Sequence, residues 1–452
     1  MRNTFILPIV SALLATWPLL AQPQTTAATN SPPWLTKPLT LVDCLNLALQ
    51  QNGNVLRGKS DLEAAYGVVV QTKAIALPTL QANGNFQGTD EIEKFPAPIV
   101  PSPPEKNWAA NIQLVQSIYQ GGRISSSLRA ARLTKEQALL QYQTVIADAL
   151  LQARVAYYDV LLAAEQIIVE EASVKLLART LEDQQRRYDA GTVPRFNVLQ
   201  AEVALANERP RLIQARNAYR IAKNNLVNVL GYHVPPQVWE DIPIELTDKL
   251  DSTPYEVQLP AAIAKALANR TELAALRKEE SLRQEGVINA KAGYKPNVQL
   301  FAGYGARSSI YFDDLGREAD GYTAGAQVSW NIFDGFLTKG KVEQAKALQA
   351  GSRVDVDNEA RAIELEVRTD YSNFIEAREV LESQKKVQEQ AEEALRLANA
   401  RSEAGTGTQL DVLNAQTSLT QARSTQVQAL HDYDAARARL ERAIGVNVTQ
   451  AK

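Results

Sequence analysis

Apolar residues recur every seven positions along two long segments of the chain. In the first segment the repeated positions are Val198, Leu205, Leu212, Tyr219 and Leu226. In the second segment they are all alanine, at Ala415, Ala422, Ala429, Ala436 and Ala443. A sustained seven-residue repeat is typical of helices that pack side by side with knobs in holes. It predicts a helix of about 35 residues in each segment, packed against a longer helix at about 123–188 or 337–402.

Four shorter segments alternate between apolar and polar residues, which is the period of a β-strand. They lie at about 79–88, 107–119, 297–307 and 321–333. At about 10–12 residues each, they are long enough to cross a bilayer when tilted. One apolar face with aromatic residues near its ends favours transmembrane barrel strands and places Trp108, Tyr322 and Trp330 at the membrane interface. The alternation alone also fits two exposed hairpins of a soluble protein.

The helices and strands follow the same order twice. Gly191 and Gly405 are as far apart as Leu199 and Leu413, and the match continues at many other positions. Such self-similarity predicts a duplicated architecture. The predicted parts are two repeats at 39–231 and 255–445, a linker at 232–254 and a tail at 446–452.

The first residues predict export from the cytoplasm. Arg2 precedes an apolar run from Phe5 to Leu20, and small and polar residues follow. Because the run is short and interrupted by proline, it predicts a secretory signal peptide at 1–21 rather than a membrane helix. Residues 22–38 are rich in Pro, Thr and Ser and are expected to form a loose lead-in.

Charge and composition argue against several classes of function. The chain has 48 basic and 51 acidic residues, so it lacks the basic excess of a protein that binds nucleic acid. One cysteine and two histidines provide few ligands for a metal, and no cofactor is expected. The sequence also contains no recognisable arrangement of nucleophile, base and orienting group, so no enzymatic activity is predicted.

The predicted strands require more than one copy of the chain. Four strands are too few to close a barrel, and an open sheet edge is not tolerated in lipid. Three copies would supply twelve strands, an even number within the range of bacterial barrels. Their helices would then continue from the barrel as a hollow cylinder.

These features resemble the TolC-type outer-membrane efflux proteins over nearly the whole mature chain. The resemblance rests on the duplicated plan, on the element G-T-x(4)-[ND]-V-L at Gly191–Leu199 and Gly405–Leu413, and on IYQGGR and IFDGFL where strand leads into helix. It implies a homotrimer with a 12-strand barrel embedded in outer-membrane lipid and a long α-helical tunnel in the periplasm. It also implies a passive exit duct that docks with a periplasmic adaptor and an inner-membrane pump of the RND or ABC type. The cargo is not implied.

In that family the Gly-Thr element lies at the tip of each helical hairpin, at the periplasmic entrance. Glycine allows the non-helical turn between antiparallel helices, which is the role expected of Gly191 and Gly405. Thr192 and Thr406 are predicted to cap the returning helices.

The resemblance also suggests gate residues at the second tip. Two rings of aspartate narrow the entrance of the family's founding member, and their positions correspond here to Asp411 and Asn414. A ring of Asp411 carboxylates would favour cations, whereas Asn414 departs from the pattern. Asn197 is the first-repeat counterpart of Asp411. A simpler interpretation of Asp411 is a solvated carboxylate in the first turn of a helix.

The tyrosine and arginine that lock the founding member's gate correspond to Ser402 and Gly407, so the same bonds cannot form here. An alternative function is a periplasmic coiled-coil adaptor or a structural protein without a pore. In such a protein, nothing would require all four strands to be long enough to cross a membrane and to carry their apolar residues on the same face.

Overall fold

The computed structural model describes residues 37–88, 106–233, 242–308, 315–316 and 318–446. The predicted signal peptide, nearly all of the lead-in and most of the tail lie outside the described residues. The helices are α1 (Leu41–Gln51), α2 (Gly53–Lys73), α3 (Arg123–Asp189), α4 (Arg195–Val229), α5 (Leu259–Asn269), α6 (Thr271–Lys291), α7 (Leu337–Glu403) and α8 (Gln409–Ile444). The strands are β1 (Thr79–Gly88), β2 (Lys106–Gln120), β3 (Asn297–Ser308) and β4 (Glu318–Ser329).

The two halves of the chain match element by element. The long helices α3 and α7 each have 67 residues, and α4 and α8 have 35 and 36. At ~1.5 Å per residue, each long helix extends over about 100 Å. None of the described helices combines the length and the hydropathy that a membrane-spanning helix needs.

The seven-residue pattern marks the buried faces of the returning helices, as predicted. Val198, Leu205 and Leu226 of α4 are buried, and Leu226 is wholly inaccessible. The alanine positions of α8 from Ala422 to Ala443 are buried too, while Ala415 is half-buried. Small side chains at a seam position let the helix axes approach closely. Each hairpin is therefore held by an apolar seam along its length.

The four strands form a single antiparallel sheet in the order β1-β2-β3-β4. Asn83 pairs with Asn111 across the first hairpin, and Tyr304 pairs with Tyr322 across the second. The pairing of β2 with β3 joins the two repeats. Strands β1 and β4 thus form the two edges of the sheet within one chain.

The expected strand at 321–333 is wrong at both ends. β4 begins at Glu318, opposite Ser308, and it ends at Ser329, opposite Asn297. The next residue of β3 would be Pro296, which has no N–H to donate to the ladder. Trp330 therefore lies beyond the strand, where its indole N–H donates to the Tyr294 carbonyl at 3.1 Å.

The helices lie side by side in a defined order. Near the sheet, α3 packs against α2 and α6, and α6 packs against α7. Toward the other end, α3 packs against α4 and α8, and α8 packs against α7. We call α3–α4 and α7–α8 the within-repeat seams and α3–α8 the between-repeat seam. Helices α2 and α4 thus follow the β1 edge, and α7 follows the β4 edge.

Exposed aliphatic side chains are concentrated on these edge helices. On α4 they include Val203 and Ile213, and on α7 they include Val354 and Leu365, each more than half exposed. Of the central helices, all fully described, α6 exposes none of its large apolar side chains and α8 exposes Leu410 alone. The 67-residue α3 exposes Leu128, Leu139, Ile168 and Tyr188. The protomer is therefore an open layer with two unpartnered apolar edges.

Candidate functional site at the helical hairpin tips

Each hairpin turns through the same hydrogen-bonded motif. At the first tip Gly191 has a φ of 74°, its N–H donates to the Tyr188 carbonyl at 2.8 Å, and the Thr192 N–H donates to the Arg187 carbonyl at 2.9 Å. This pair of bonds is the Schellman motif, which satisfies the last carbonyls of a helix. The left-handed conformation at its centre favours glycine, so the role predicted for Gly191 is the one observed.

The second tip repeats this geometry. Gly405 has a φ of 72°, and its N–H donates to the Ser402 carbonyl at 3.2 Å. The N–H groups of Thr406 and Gly407 both donate to the Arg401 carbonyl at 2.9 Å. A Cβ at Gly407 would lie 3.0 Å from the Arg401 Cβ and 3.1 Å from the Ser402 nitrogen. A side chain at position 407 would therefore crowd the last turn of α7.

The prediction that Thr192 and Thr406 cap the returning helices is wrong. Their hydroxyls donate backwards to the carbonyls of Arg187, at 2.8 Å, and Arg401, at 3.3 Å. Both threonines therefore close the outgoing helix. The reason is their position directly after the left-handed glycine, which directs them to the end of the preceding helix rather than to the start of the next.

The returning helix of the second tip is capped by Thr408, a residue that the sequence interpretation missed. Its hydroxyl accepts from the Asp411 N–H at 3.2 Å, and Asp411 Oδ2 accepts from the Thr408 N–H at 2.9 Å. These reciprocal bonds form a capping box. The signal was present in the sequence, because Thr-Gln-Leu-Asp places an acidic residue three positions after a threonine.

The first tip lacks this box. Its returning helix begins after Pro194, which offers no side-chain acceptor, and Asn197 occupies the position that corresponds to Asp411. The two tips therefore share their turn but differ at the start of the returning helix. One carries a carboxylate there, and the other carries a neutral amide.

Asp411 is exposed, and its carboxylate is held in the charged form. The backbone and side-chain hydrogen bonds from Thr408 lower the pKa of Asp411. Both bonds use Oδ2. Asn414 lies one turn further along α8 and is also exposed. In a single chain Asp411 is therefore a solvated carboxylate in the first turn of a helix, which was the simpler interpretation of the sequence. The threefold ring of Asp411 carboxylates stays a prediction.

The aromatic residues expected at the membrane interface lie in different settings. Tyr322 of β4 is 89% exposed, and its ring centroid lies 4.9 Å from that of Tyr304 on β3. Trp108 of β2 is half-buried, and its indole N–H donates to the Leu315 carbonyl at 3.2 Å. Trp330 lies outside the sheet, as described above.

The duplicated fold and its two tips define the class of protein. The sequence profile of the outer membrane efflux protein family matches residues 44–232 and 262–446. The chain therefore belongs to this family.

Two curated relatives span much of the chain. The outer membrane protein TolC of Escherichia coli K12 is 24% identical over 422 residues, covering 90% of this chain and 82% of TolC. The cobalt-zinc-cadmium resistance protein CzcC of Cupriavidus metallidurans is 26% identical over 307 residues, covering 67% of this chain and 68% of CzcC.

The outer-membrane channel OprN has a similar solved structure, with a TM-score of 0.75, 19% identity and 90% coverage of both chains. That likeness supports the fold. The predicted fold class, the resemblance to TolC-type proteins, the outer-membrane location and the function as an efflux or secretion channel are thereby confirmed.

Proposed function

We propose that three copies of this chain close into the exit duct of a tripartite efflux or type I secretion system. The two open edges of the protomer carry this proposal. When the edge formed by β1, α2 and α4 of one copy meets the edge formed by β4 and α7 of the next, every edge is paired around a ring. Closure hides the exposed aliphatic side chains of α4 and α7 and removes the unpaired strand edges that lipid does not tolerate.

The test combines assembly with conduction. The protein extracted from outer membranes is expected to run as a heat-modifiable trimer and to open discrete conductance steps in planar bilayers. A monomer in the soluble periplasmic fraction, without conductance, would contradict the proposal. That result would support the alternative of a periplasmic coiled-coil adaptor or structural protein without a pore.

The proposed partners are a periplasmic adaptor at the hairpin tips and, beyond it, an inner-membrane pump of the RND or ABC type. Phe196 and Leu410 occupy the same position in the two returning helices and are 63% and 52% exposed. Apolar side chains exposed at equivalent places on both tips provide an anchor for a helical partner. Phe196→Glu and Leu410→Glu should reduce co-purification of the adaptor without dispersing the trimer.

We further propose that Asp411 lines the entrance of the duct. In a trimer, three Asp411 carboxylates and three Asn197 amides would alternate, so cations would be favoured at every second tip. Asn414 would add a neutral ring one turn further along α8. Gly191 and Gly405 fix the turns, and Thr192 and Thr406 close the helices that precede them.

Trp108, Tyr322 and Trp330 are proposed to contact outer-membrane lipid near the two faces of the bilayer. Amphipathic rings are favoured at the level of the lipid headgroups. The cargo is left unassigned, because the relatives differ in what their names state: CzcC is a metal-resistance protein, and TolC is named for no cargo.

A further inference from the structure

A cavity of about 680 Å³ lies where the two repeats meet, far from the hairpin tips along α3 and α8. Its walls come from α3 of the first repeat and from the α5–α6 corner and the end of α8 of the second. Its volume falls within the range of about 300–1,000 Å³ that is usual for small-molecule sites. None of its lining residues belongs to the edge helices α2, α4 and α7, so ring closure through those edges does not use its walls.

One side of the cavity is aliphatic. The large apolar residues that line it are Leu140, Ile146, Leu150, Leu151 and Val446. Alanines of α3, α5, α6 and α8 fill the space between them. An alkyl chain in contact with this wall would be stabilised by roughly 25 cal/mol for each Å² of apolar surface removed from water.

The other side is basic, and the described residues that line the cavity include no acidic one. Its charged lining residues are Arg154, Lys265, Arg270 and Arg442. The arginines are held by carboxylates that are not part of the lining. These pairs are Arg154–Glu441 at 2.6 Å, Arg270–Glu366 at 2.9 Å and Arg442–Asp148 at 2.6 Å. Glu272, also outside the lining, pairs with both Arg270, at 3.1 Å, and Arg442, at 2.5 Å. Positive groups are thereby fixed against the cavity while their counter-charges stay outside it.

Two of these cations, Arg154 and Lys265, differ in how accessible they are to a ligand. Arg154 is 8% exposed, its Nη1 is bonded to Glu441, and its Nε is buried without a hydrogen-bond partner among the described residues. That Nε has almost no accessible surface, so it is an unsatisfied donor behind the cavity wall, and a ligand in the cavity does not contact it. Lys265 is exposed and makes no ion pair with a described residue.

We propose that this cavity binds one single-chain aliphatic anion, with its chain against the aliphatic wall and its carboxylate at Lys265 on the basic side. Carboxylate oxygens accept charge-assisted hydrogen bonds from an ammonium group. The bound anion would contact α3 on one side and α5 and α8 on the other. It would therefore link the two repeats of one chain, independently of whether the duct conducts.

The probe is decanoate, titrated by calorimetry into the full-length protein in lipid nanodiscs, with empty nanodiscs as the reference. We expect one decanoate to bind per chain and decyltrimethylammonium, which has the same chain and the opposite charge, to bind at least ten times more weakly. Lys265→Glu should weaken decanoate binding at least tenfold. Ala268→Trp, which places a large ring at an exposed lining position, should abolish it.

Lys249→Glu is the matched control, because Lys249 is exposed, lies outside the lining and undergoes the same charge reversal. Its affinity should equal that of the unmodified protein. The proposal is overturned if the unmodified protein binds no decanoate above the nanodisc reference, or if the cationic probe binds equally well. It is also overturned if Lys265→Glu and Ala268→Trp keep full affinity while circular dichroism and trimer mobility show that they are folded.

Discussion

The seams inside each hairpin differ in chemistry from the seam that joins the two repeats. Within the repeats, buried apolar residues follow a seven-residue spacing, as at Val367, Phe374 and Leu381 of α7. Fewer polar pairs cross each of these longer seams: Ser173–Glu208 and Glu171–Arg216 between α3 and α4, and Gln384–Thr425 and Glu392–Arg423 between α7 and α8. The between-repeat seam also contains Leu413, but side-chain hydrogen bonds run along much of its length. The bonded pairs of this seam are Gln184–Gln409, Thr180–Gln416, Ser173–Thr420, Asp159–His431, Arg154–Glu441 and Asp148–Arg442.

This difference indicates that the two kinds of seam have different roles. Apolar burial is non-directional and strongly stabilising, so each hairpin is expected to behave as a rigid unit. Polar pairs contribute little net stability, because water offers the same hydrogen bonds when the pairs separate. They do fix the register of the two helices. We therefore infer that the between-repeat seam sets how the hairpins align and is the seam that separates at the lower free-energy cost.

The largest expected effect comes from breaking a buried ion pair of the between-repeat seam. Glu441→Ala leaves the Arg154 guanidinium buried without its partner, which should cost about 3–5 kcal/mol of stability. Replacing both residues, as Arg154→Met with Glu441→Leu, should recover most of this loss, because the only described cation that loses a partner is Arg437, which is half-buried and bonds Glu441 at 2.9 Å. Loss of helical circular dichroism on heating measures both variants. If the double variant is as unstable as Glu441→Ala, the ion pair itself stabilises the fold, and the loss in Glu441→Ala does not come from leaving a buried charge unpaired.

A within-repeat seam is tested by Leu226→Ala. Leu226 is wholly buried in the cluster formed by α1, α3 and α4, and its truncation should cost about 2–5 kcal/mol. Asn225→Ala changes the exposed neighbour on the same helix and should stay within about 0.5 kcal/mol of the unmodified protein. Equal effects of the two variants would remove the distinction between buried and exposed positions on which the comparison depends.

The two tips are compared by separating the charge of Asp411 from its capping role. Asp411→Ala should raise single-channel conductance and weaken block by cations in planar bilayers. Thr408→Ala removes the cap but keeps the carboxylate, at a cost of about 1 kcal/mol to the helix start. If Thr408→Ala changes conductance as much as Asp411→Ala does, the geometry of the tip rather than its charge controls the entrance. Unchanged conductance and block in Asp411→Ala would remove this residue from the constriction.

The smallest effect is a pH dependence of the between-repeat seam. Burial lowers the pKa of His431, but its hydrogen bonds to Asp159, at 2.8 Å, and Asp432, at 3.0 Å, outweigh burial and leave the pKa raised above 6.5. The charged imidazole therefore stabilises the folded state fully below about pH 6.5, and this contribution is lost as the pH rises through the raised value. Melting temperatures should fall slightly over that window, and His431→Gln should remove this fall. An unchanged pH profile in His431→Gln would contradict the assignment.

The sequence predicted the features that depend on local chemistry. The turns at Gly191 and Gly405 follow from the conformational freedom of glycine, and the helix faces follow from the seven-residue period. The capping role of Thr408 could have been predicted from its local sequence. It was missed because Thr192 and Thr406 are nearer to the turn and have the same side chain. The end of β4 depends on Pro296, which directly precedes β3 and is distant in sequence, so the alternation through Phe333 misled the prediction.

The contacts of the between-repeat seam could not be predicted from the sequence, for a different reason. Gln184 and Gln409 are separated along the chain by four helices and two strands, and only the fold brings them within 2.9 Å. Each looks like an ordinary surface glutamine on its own helix. The same holds for Arg154 and Glu441, whose isolated sequence context gives no sign that both are buried.

The equal length of α3 and α7 places a joint constraint on the two repeats. Adding or deleting seven residues in one long helix alone would shift its tip by about 10 Å relative to the other. In a ring of copies, longer and shorter tips would then alternate, and a partner with a flat surface could contact only every second tip. The lengths of α3 and α7 are therefore expected to change only together.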